Sequence, residues 1–474
     1  MDLEQEEKTN SRNVTFYGGP MVALIPFLVF VSGVVWIALS GAPDEKGFWP
    51  VLILALAIGL LLAKDKEEYS YAVLDGMSER IVMIMITAWI LASIIGVLMT
   101  VTGFVEALAW LASLFQVGGM GFSMAAFIMC GIVSLSTGSS FATILICGPL
   151  LYPAGGVLGA HLPTLAGAIL AGATFGDFFA PISDTTIASA LSQGARIGPT
   201  VKSRVKYIIP AAILALLAIS LSQFFQYSGS RIGMYKLEGS PAGLPMLLVP
   251  ALIIYLFLKG KHLFHGLMLG LFFGTVLGLV LGLLPLDQLI SLDLENLVAQ
   301  SFVIKGINRS IGLSIFTILL MGLVGILKGS NLMDSLINFA QRQGGKTWKA
   351  EGWIAGVVGI AVLLTTHSIV AILMVAEFAR KTGSSWDISA VRRSNLLSVV
   401  VCIFPFLLPY FIPVILMSSM TSSGSELGVP SVPPLEVGLH NFLSWALILI
   451  AMAMVFLGYG RKKDTSYNNK DIES

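Results

Sequence analysis

Apolar runs of about 20 residues recur down this 474-residue chain, at 18–40, 49–63, 81–103, 207–227, 243–258, 263–284, 309–327 and 441–459. A helix needs roughly 20 apolar residues to cross a hydrocarbon layer, and somewhat fewer where it leans on protein. The runs therefore predict an all-α polytopic membrane protein. Composition agrees. The chain is 56% hydrophobic and 12% charged, about half the charge of a soluble domain. One water-facing domain cannot hide that much apolar surface, which excludes a soluble enzyme and a disordered chain. A net charge of +1 leaves no footprint for nucleic acid, so the expected partner is the lipid bilayer. Cys130, Cys147 and Cys402 each lie inside an apolar run; with no Cys/His spacing of a zinc site, no transition metal is expected.

Four further apolar regions, 119–158, 163–192, 351–379 and 395–420, carry small polar residues, Gly or Pro near their middles. Such interruptions mark re-entrant hairpins and broken helices in secondary transporters. Short amphipathic pieces at 104–116 and 331–341 are expected to lie in the interface. Lys64, Lys66 and Arg80, then Lys202, Arg204 and Lys206, then Lys259 and Lys261, then Arg461, Lys462 and Lys463 all fall on one side if the N-terminus is cytoplasmic. The loop 228–242, with Arg231 and Lys236, breaks this pattern. Residues 1–17 and 461–474 are thus expected as cytoplasmic tails of a multi-pass protein of the cell (inner) membrane. The first stretch lacks a cleavable leader pattern.

The chain also repeats itself. Thr137-Gly138-Ser139-Ser140 resembles Thr365-Thr366-His367-Ser368, and 137 and 365 differ by 228. Asp177-Phe-Phe-Ala-Pro181 faces Pro405-Phe-Leu-Leu-Pro409, and Phe104-Val-Glu106-Ala-Leu108 faces Leu332-Met-Asp334-Ser-Leu336; 181 and 409, and 106 and 334, differ by the same 228. Three anchors at one ungapped offset predict two repeats, 18–230 and 246–458. The loop charges start the halves on opposite sides, which makes the repeats inverted.

The stretch Gly172 to Thr186 holds two carboxylates, Asp177 and Asp184, deep in apolar sequence, with Gly176 and Pro181 breaking the helix around them. A charge at the bilayer centre costs upwards of about 2.5 kcal/mol. Chains keep it where a cavity, a partner or a cation offsets it. Broken ends leave free backbone groups, and Ser183, Thr185 and Thr186 add hydroxyls. That oxygen set suits Na+, and the same carboxylate can take a proton instead. Competition of Na+ and H+ for one Asp is a complete antiport scheme, with both ions as cargo and no cofactor. The alternative for Asp184 is a plain helix cap in a surface loop.

At this point the sequence resembles a known family. Gly-Asp-x-x-x-Pro-Ile-Ser-Asp-Thr-Thr at 176–186 is similar to the motif of NhaC-type sodium/proton antiporters, within a wider ion-transporter superfamily. Thr137-Gly-Ser-Ser and Arg393-Ser-Asn395-Leu-Leu resemble it more weakly. The resemblance implies secondary antiport of Na+ against H+, with some members exchanging organic acids or amino acids. Ala180 stands where Ser is usual and Ile187 where Asn is usual. After Tyr410 the small and amide residues of the pattern are absent.

Thr137, Gly138, Ser139 and Ser140 are read as a hairpin tip that contacts ion or substrate, or as small residues for close helix packing. Thr366, His367 and Ser368 form its mate, and Asn395 precedes the second broken helix. His367 is either a proton relay or a satisfied core histidine. An exchanger of small organic acids or amino acids, coupled to Na+ or H+, is the alternative function. It would lack any Lys or Arg in the site. An intramembrane hydrolase built on Ser139 or Ser140 with His367 has no nucleophile elbow, so no enzyme is expected. A homodimer is compatible with all of this.

Overall fold

The structure, a computed structural model, describes residues 14–40, 45–107, 110, 118–181, 183–226, 240–259, 261–293, 298–330 and 346–461. Most of both tails, the stretch 331–341 and much of 104–116 and of the loop 228–242 lie outside the described residues. Among the described residues the regular structure is helical, apart from one small antiparallel ribbon of β1 (Ser291–Asp293) and β2 (Val298–Gln300). Among the described residues, eight helices are long and apolar enough to cross a membrane.

The longer helices run in order as follows. The first four are α1 (Leu24–Leu39), α2 (Phe48–Leu62), α3 (Lys66–Met77) and α4 (Arg80–Val101). Then come α5 (Gly119–Thr137), α6 (Ser140–Val157), α7 (Leu162–Phe179), α8 (Asp184–Ser192) and α9 (Ile197–Gln226). Next come α10 (Leu248–Leu258) and α11 (Leu263–Val280). The second half continues with α12 (Phe302–Gly329), α13 (Thr347–Thr365), α14 (Ser368–Ser384), α15 (Ala390–Val401), α16 (Ile412–Thr421) and α17 (Phe442–Phe456). The broken regions read from sequence are these pairs: α5 with α6, α7 with α8, α13 with α14, and α15 with α16.

The arms α5 and α6 form a hairpin. Its base closes where Gly119 meets the backbone of Ala160, and its tip is Gly138-Ser139. The arms are 19 and 18 residues long, about 28 Å at 1.5 Å per residue, so each nearly matches the thickness of a hydrocarbon core. From the base, α7 runs back alongside α5. Gly172 lies against the backbone of Phe127 and Gly176 against that of Gly131 and Leu135, leaving no room for a side chain. The second hairpin, α13 and α14, turns at Thr366-His367. The starts of α5 and α13, 119 and 347, differ by 228, as do the starts of α6 and α14 (140, 368) and of α8 and α16 (184, 412).

The two hairpins enter from opposite ends of α9. Near its C-terminal end, the backbone N–H of His161, at the base of the first hairpin, donates to Gln223 Oε1 at 2.9 Å. Near its start, Tyr207 Oη accepts from Arg392 Nη1 at 2.9 Å. Arg392 in turn pairs with the fully buried Glu351 of α13 at 2.9 Å, and Arg461 bonds the same carboxylate at 2.6 Å. Each half-helix also crosses to the other half. α8 packs on α14 and α15, and α16 packs on α6.

Candidate functional site

α7 stops because Pro181 follows it; proline lacks the N–H that a continuing helix needs and pushes the preceding residue out of the helical region. Ala180 and Ser183 are extended, and α8 restarts at Asp184. Asp177, in the last turn of α7, is 8% exposed. Ser140 Oγ donates to its Oδ2 at 2.7 Å and Ser183 Oγ to its Oδ1 at 2.6 Å. Because the Ser183 proton is committed to Asp177, the contact between Ser183 Oγ and Thr185 Oγ1 at 2.9 Å has Thr185 donating. One carboxylate thus gathers the first hairpin tip and the far side of the helix break.

Asp184 differs. Its side chain is exposed at the first position of α8, next in sequence to the Ser183 that bonds Asp177. The sequence reading set both acids in the interior. The short helix resolves this by periodicity: Thr186, Ser189 and Ala190 form its buried face, and Asp184 and Leu191 point away from it.

The two hairpin tips share one backbone shape. Gly138 has φ 67° and Thr366 φ 53°, both left-handed; Ser139 (φ −143°, ψ 114°) and His367 (φ −134°, ψ 116°) are both extended. Gly138 adopts its conformation freely, whereas a branched side chain there costs on the order of 1–3 kcal/mol. Thr366 takes it up as a non-glycine residue, its hydroxyl donating to Thr365 O at 2.8 Å. Ser139 Oγ caps α6 by accepting from the Ala142 N–H, and Thr137 Oγ1 bonds back to Ser134 O. In the second half, Ser368 Oγ donates to Val401 O at the end of α15 at 3.1 Å, as Ser140 reaches the end of α7 in the first. His367 Nδ1 is buried with no hydrogen-bond partner.

The remaining candidates gather elsewhere, around a residue that sequence reasoning assigned to a loop. Arg204 is fully buried. Its Nη1 donates to Phe178 O at 2.7 Å and Thr186 Oγ1 at 2.6 Å, its Nη2 to Ser189 Oγ at 3.1 Å and Ser398 Oγ at 2.6 Å, and its Nε to Asn395 Oδ1 at 3.3 Å. Asn395 also donates to Ser203 Oγ at 2.6 Å. Thr186 and Asn395 therefore belong to Arg204 and not to Asp177 or a hairpin tip. The expectation that no Lys or Arg lies in the site is corrected. α9 begins at Ile197, well before the apolar run at 207, so Arg204 sits inside a helix. The signal was present: Arg204, Tyr207 and Ile208, Ala211, Ala215 and Ile219 form one buried stripe at helical spacing. Arg204, bonded at once to Phe178 O at the end of α7 and to Asn395 and Ser398 of α15, brings the end of α7 to α15.

Residues 11–224 match the Na+/H+ antiporter family. Over 226 residues the chain is 27% identical to the Malate-2H(+)/Na(+)-lactate antiporter of Bacillus subtilis (strain 168), covering 46% of this chain and 47% of that protein. Over 135 residues it is 33% identical to the Na(+)/H(+) antiporter NhaC of Alkalihalophilus pseudofirmus (strain ATCC BAA-2126 / JCM 17055 / OF4), covering 28% of this chain and 29% of that protein. The chain spans about half the length, or less, of these curated relatives. The Asp177 cluster and the motif at 176–186 fall inside the matched region, and the family they resemble is the one that residues 11–224 match, the Na+/H+ antiporter family.

Proposed function

We propose that the chain is a secondary active transporter of the cell membrane that exchanges Na+ for H+ at the Asp177 cluster. The observation that carries this reading is one buried carboxylate at a helix break, with the hydroxyls of Ser140 and Ser183 on its two oxygens and Thr185 behind them. Hydroxyl and carboxylate oxygens suit a hard cation. A proton and Na+ both need the same carboxylate, so binding one expels the other. Asp184, exposed at the start of α8, would attract the cation on its way to Asp177. The offset of 228 between corresponding helices and the opposed hairpins support two inverted repeats, 18–230 and 246–458. Near the start of α9, Lys206 and Arg392 bond the backbone of Gly460 and Tyr459 beside Arg461, which supports a cytoplasmic side there.

A second reading draws on Arg204. A buried guanidinium sits beside Asp177, on Phe178 O, and its positive charge would attract the carboxylate of a small organic acid without a direct hydrogen bond. The relative named as a malate/lactate antiporter agrees with this. The test uses proteoliposomes with an imposed Na+ gradient and a pH dye inside. Asp177→Asn should abolish Na+-driven proton movement, and Asp184→Asn should weaken apparent Na+ affinity without abolishing transport. Full transport by Asp177→Asn would remove the site. A signal that requires added lactate or malate would put the second reading first.

A further inference from the structure

We propose that Arg204 is a positioning residue for the ion site, clamping the broken helix of the first half onto α15 of the second. The inference rests on the reading of Asp177 as the ion site. A guanidinium carries five N–H donors and no acceptor. Arg204 has five acceptors within reach, two per terminal nitrogen and one at Nε. None of them is charged and no donor is left for a substrate, so its role is to hold the site's walls.

The five acceptors come from both sides of the α7–α8 break and from α15. Phe178 O is adjacent in sequence to Asp177, and with the chain leaving the helix at Ala180 that carbonyl sits at the negative end of the α7 dipole, where a cation is favoured. Thr186 and Ser189 lie on α8. Asn395 and Ser398 lie on α15. The Arg204 side chain also lies over the Phe178 ring, 5.0 Å from its centre. Ser398 Oγ also donates to Ser189 Oγ at 2.7 Å, a second link between α8 and α15. The relative placement of Asp177 and Ser183, the two groups that share a 2.6 Å hydrogen bond across the break, is thereby set from behind by one side chain. A lysine in its place offers three donors on one nitrogen and cannot bridge both terminal pairs and Asn395 at once.

The test measures apparent Na+ affinity and maximal rate separately in proteoliposomes, for Arg204→Lys, Arg204→Gln, Ser398→Ala and Asp177→Asn. Arg204→Gln should weaken Na+ affinity by about tenfold or more, the value of one charge-assisted hydrogen bond, and change the preference between Na+ and Li+. Arg204→Lys should fall between Gln and wild type. Ser398→Ala, which touches neither α7 nor Asp177, should weaken affinity in the same direction, and its effect should shrink when combined with Arg204→Gln. Should the Arg204 variants fail to fold, Ser398→Ala and Asn395→Ala carry the test alone. Wild-type affinity and ion preference in folded variants, with only maximal rate or protein yield reduced, would overturn the clamp. A fully active Asp177→Asn would instead overturn the site on which it rests.

Discussion

Adding a single methyl group at Gly176 should disconnect the site without touching any of its polar atoms. A Cβ there would stand 2.5 Å from Ser134 Cβ and closer still to the backbone of Gly131 and Leu135, whereas ordinary contact begins at 3.4 Å. The obstacle is largely main chain, so no rotamer change relieves it. α7 must move away from α5 by about 1.0 Å, the difference between the 2.4 Å backbone contacts and 3.4 Å. Asp177 is the next residue, and Ser140 starts the arm that turns back from α5. A shift of that size stretches the 2.7 Å bond between Ser140 and Asp177 past hydrogen-bonding range. Losing a hydrogen bond to a charged group costs about 1.5–3 kcal/mol, which is roughly ten- to hundredfold in affinity. In proteoliposomes, Gly176→Ala should therefore need ten- to hundredfold more Na+ for half-maximal proton flux. Gly356→Ala, where an added Cβ meets nothing within 4 Å, serves as the control for helix glycines in general. A Gly176→Ala protein with wild-type Na+ affinity would refute the dependence of the site on close approach of α5 and α7.

Two other expectations test regions away from the ion. Glu351→Gln leaves Arg392 and Arg461 side by side without their shared, fully buried carboxylate; breaking a buried pair this way costs about 3–5 kcal/mol, so thermal unfolding in detergent should drop by several degrees while Na+ affinity in the surviving protein stays unchanged. His161, just outside the span that begins at Leu162, has its pKa lowered from 6.5 to about 4 by burial and by His440, whose ring lies 5.5 Å away. The unfolded chain takes up this proton before the native one does, so the histidine's contribution is full above about pH 6.5 and is lost as pH falls toward 4. His161→Asn, which can still bond Thr164, should flatten the pH dependence of melting over that window, and an unchanged slope would assign the effect to other groups.

Much of this architecture was legible because membrane folds write their period in large units. The offset of 228 reappears in helix starts, since Thr137 and Thr365 each end an arm at the same kind of turn. Asp177 was legible because a charge amid apolar residues is rare enough to need a reason. Arg204 was not, because a loop charge and a buried charge look alike when the helix boundary is drawn by hydropathy. An arginine ends an apolar run in either case. Its partners were illegible for a related reason. Thr186 and Asn395 are 209 positions apart, and nothing local says that one guanidinium joins them. The exposure of Asp184 depends on which face α8 turns toward α14, a matter decided by the other half of the molecule.

That exchange of half-helices has a consequence for how the protein is made. α8 is complete when residue 192 leaves the ribosome, but its packing surface on α14 and α15 begins only at residue 368. Arg204 waits longer, since Asn395 follows it by 191 residues. At about 5–20 residues per second, a membrane-embedded guanidinium goes without part of its acceptor set for roughly 10 to 40 s. Nascent chains truncated between 204 and 395 should remain beside the insertion machinery, and be released into lipid only once α15 has been synthesised.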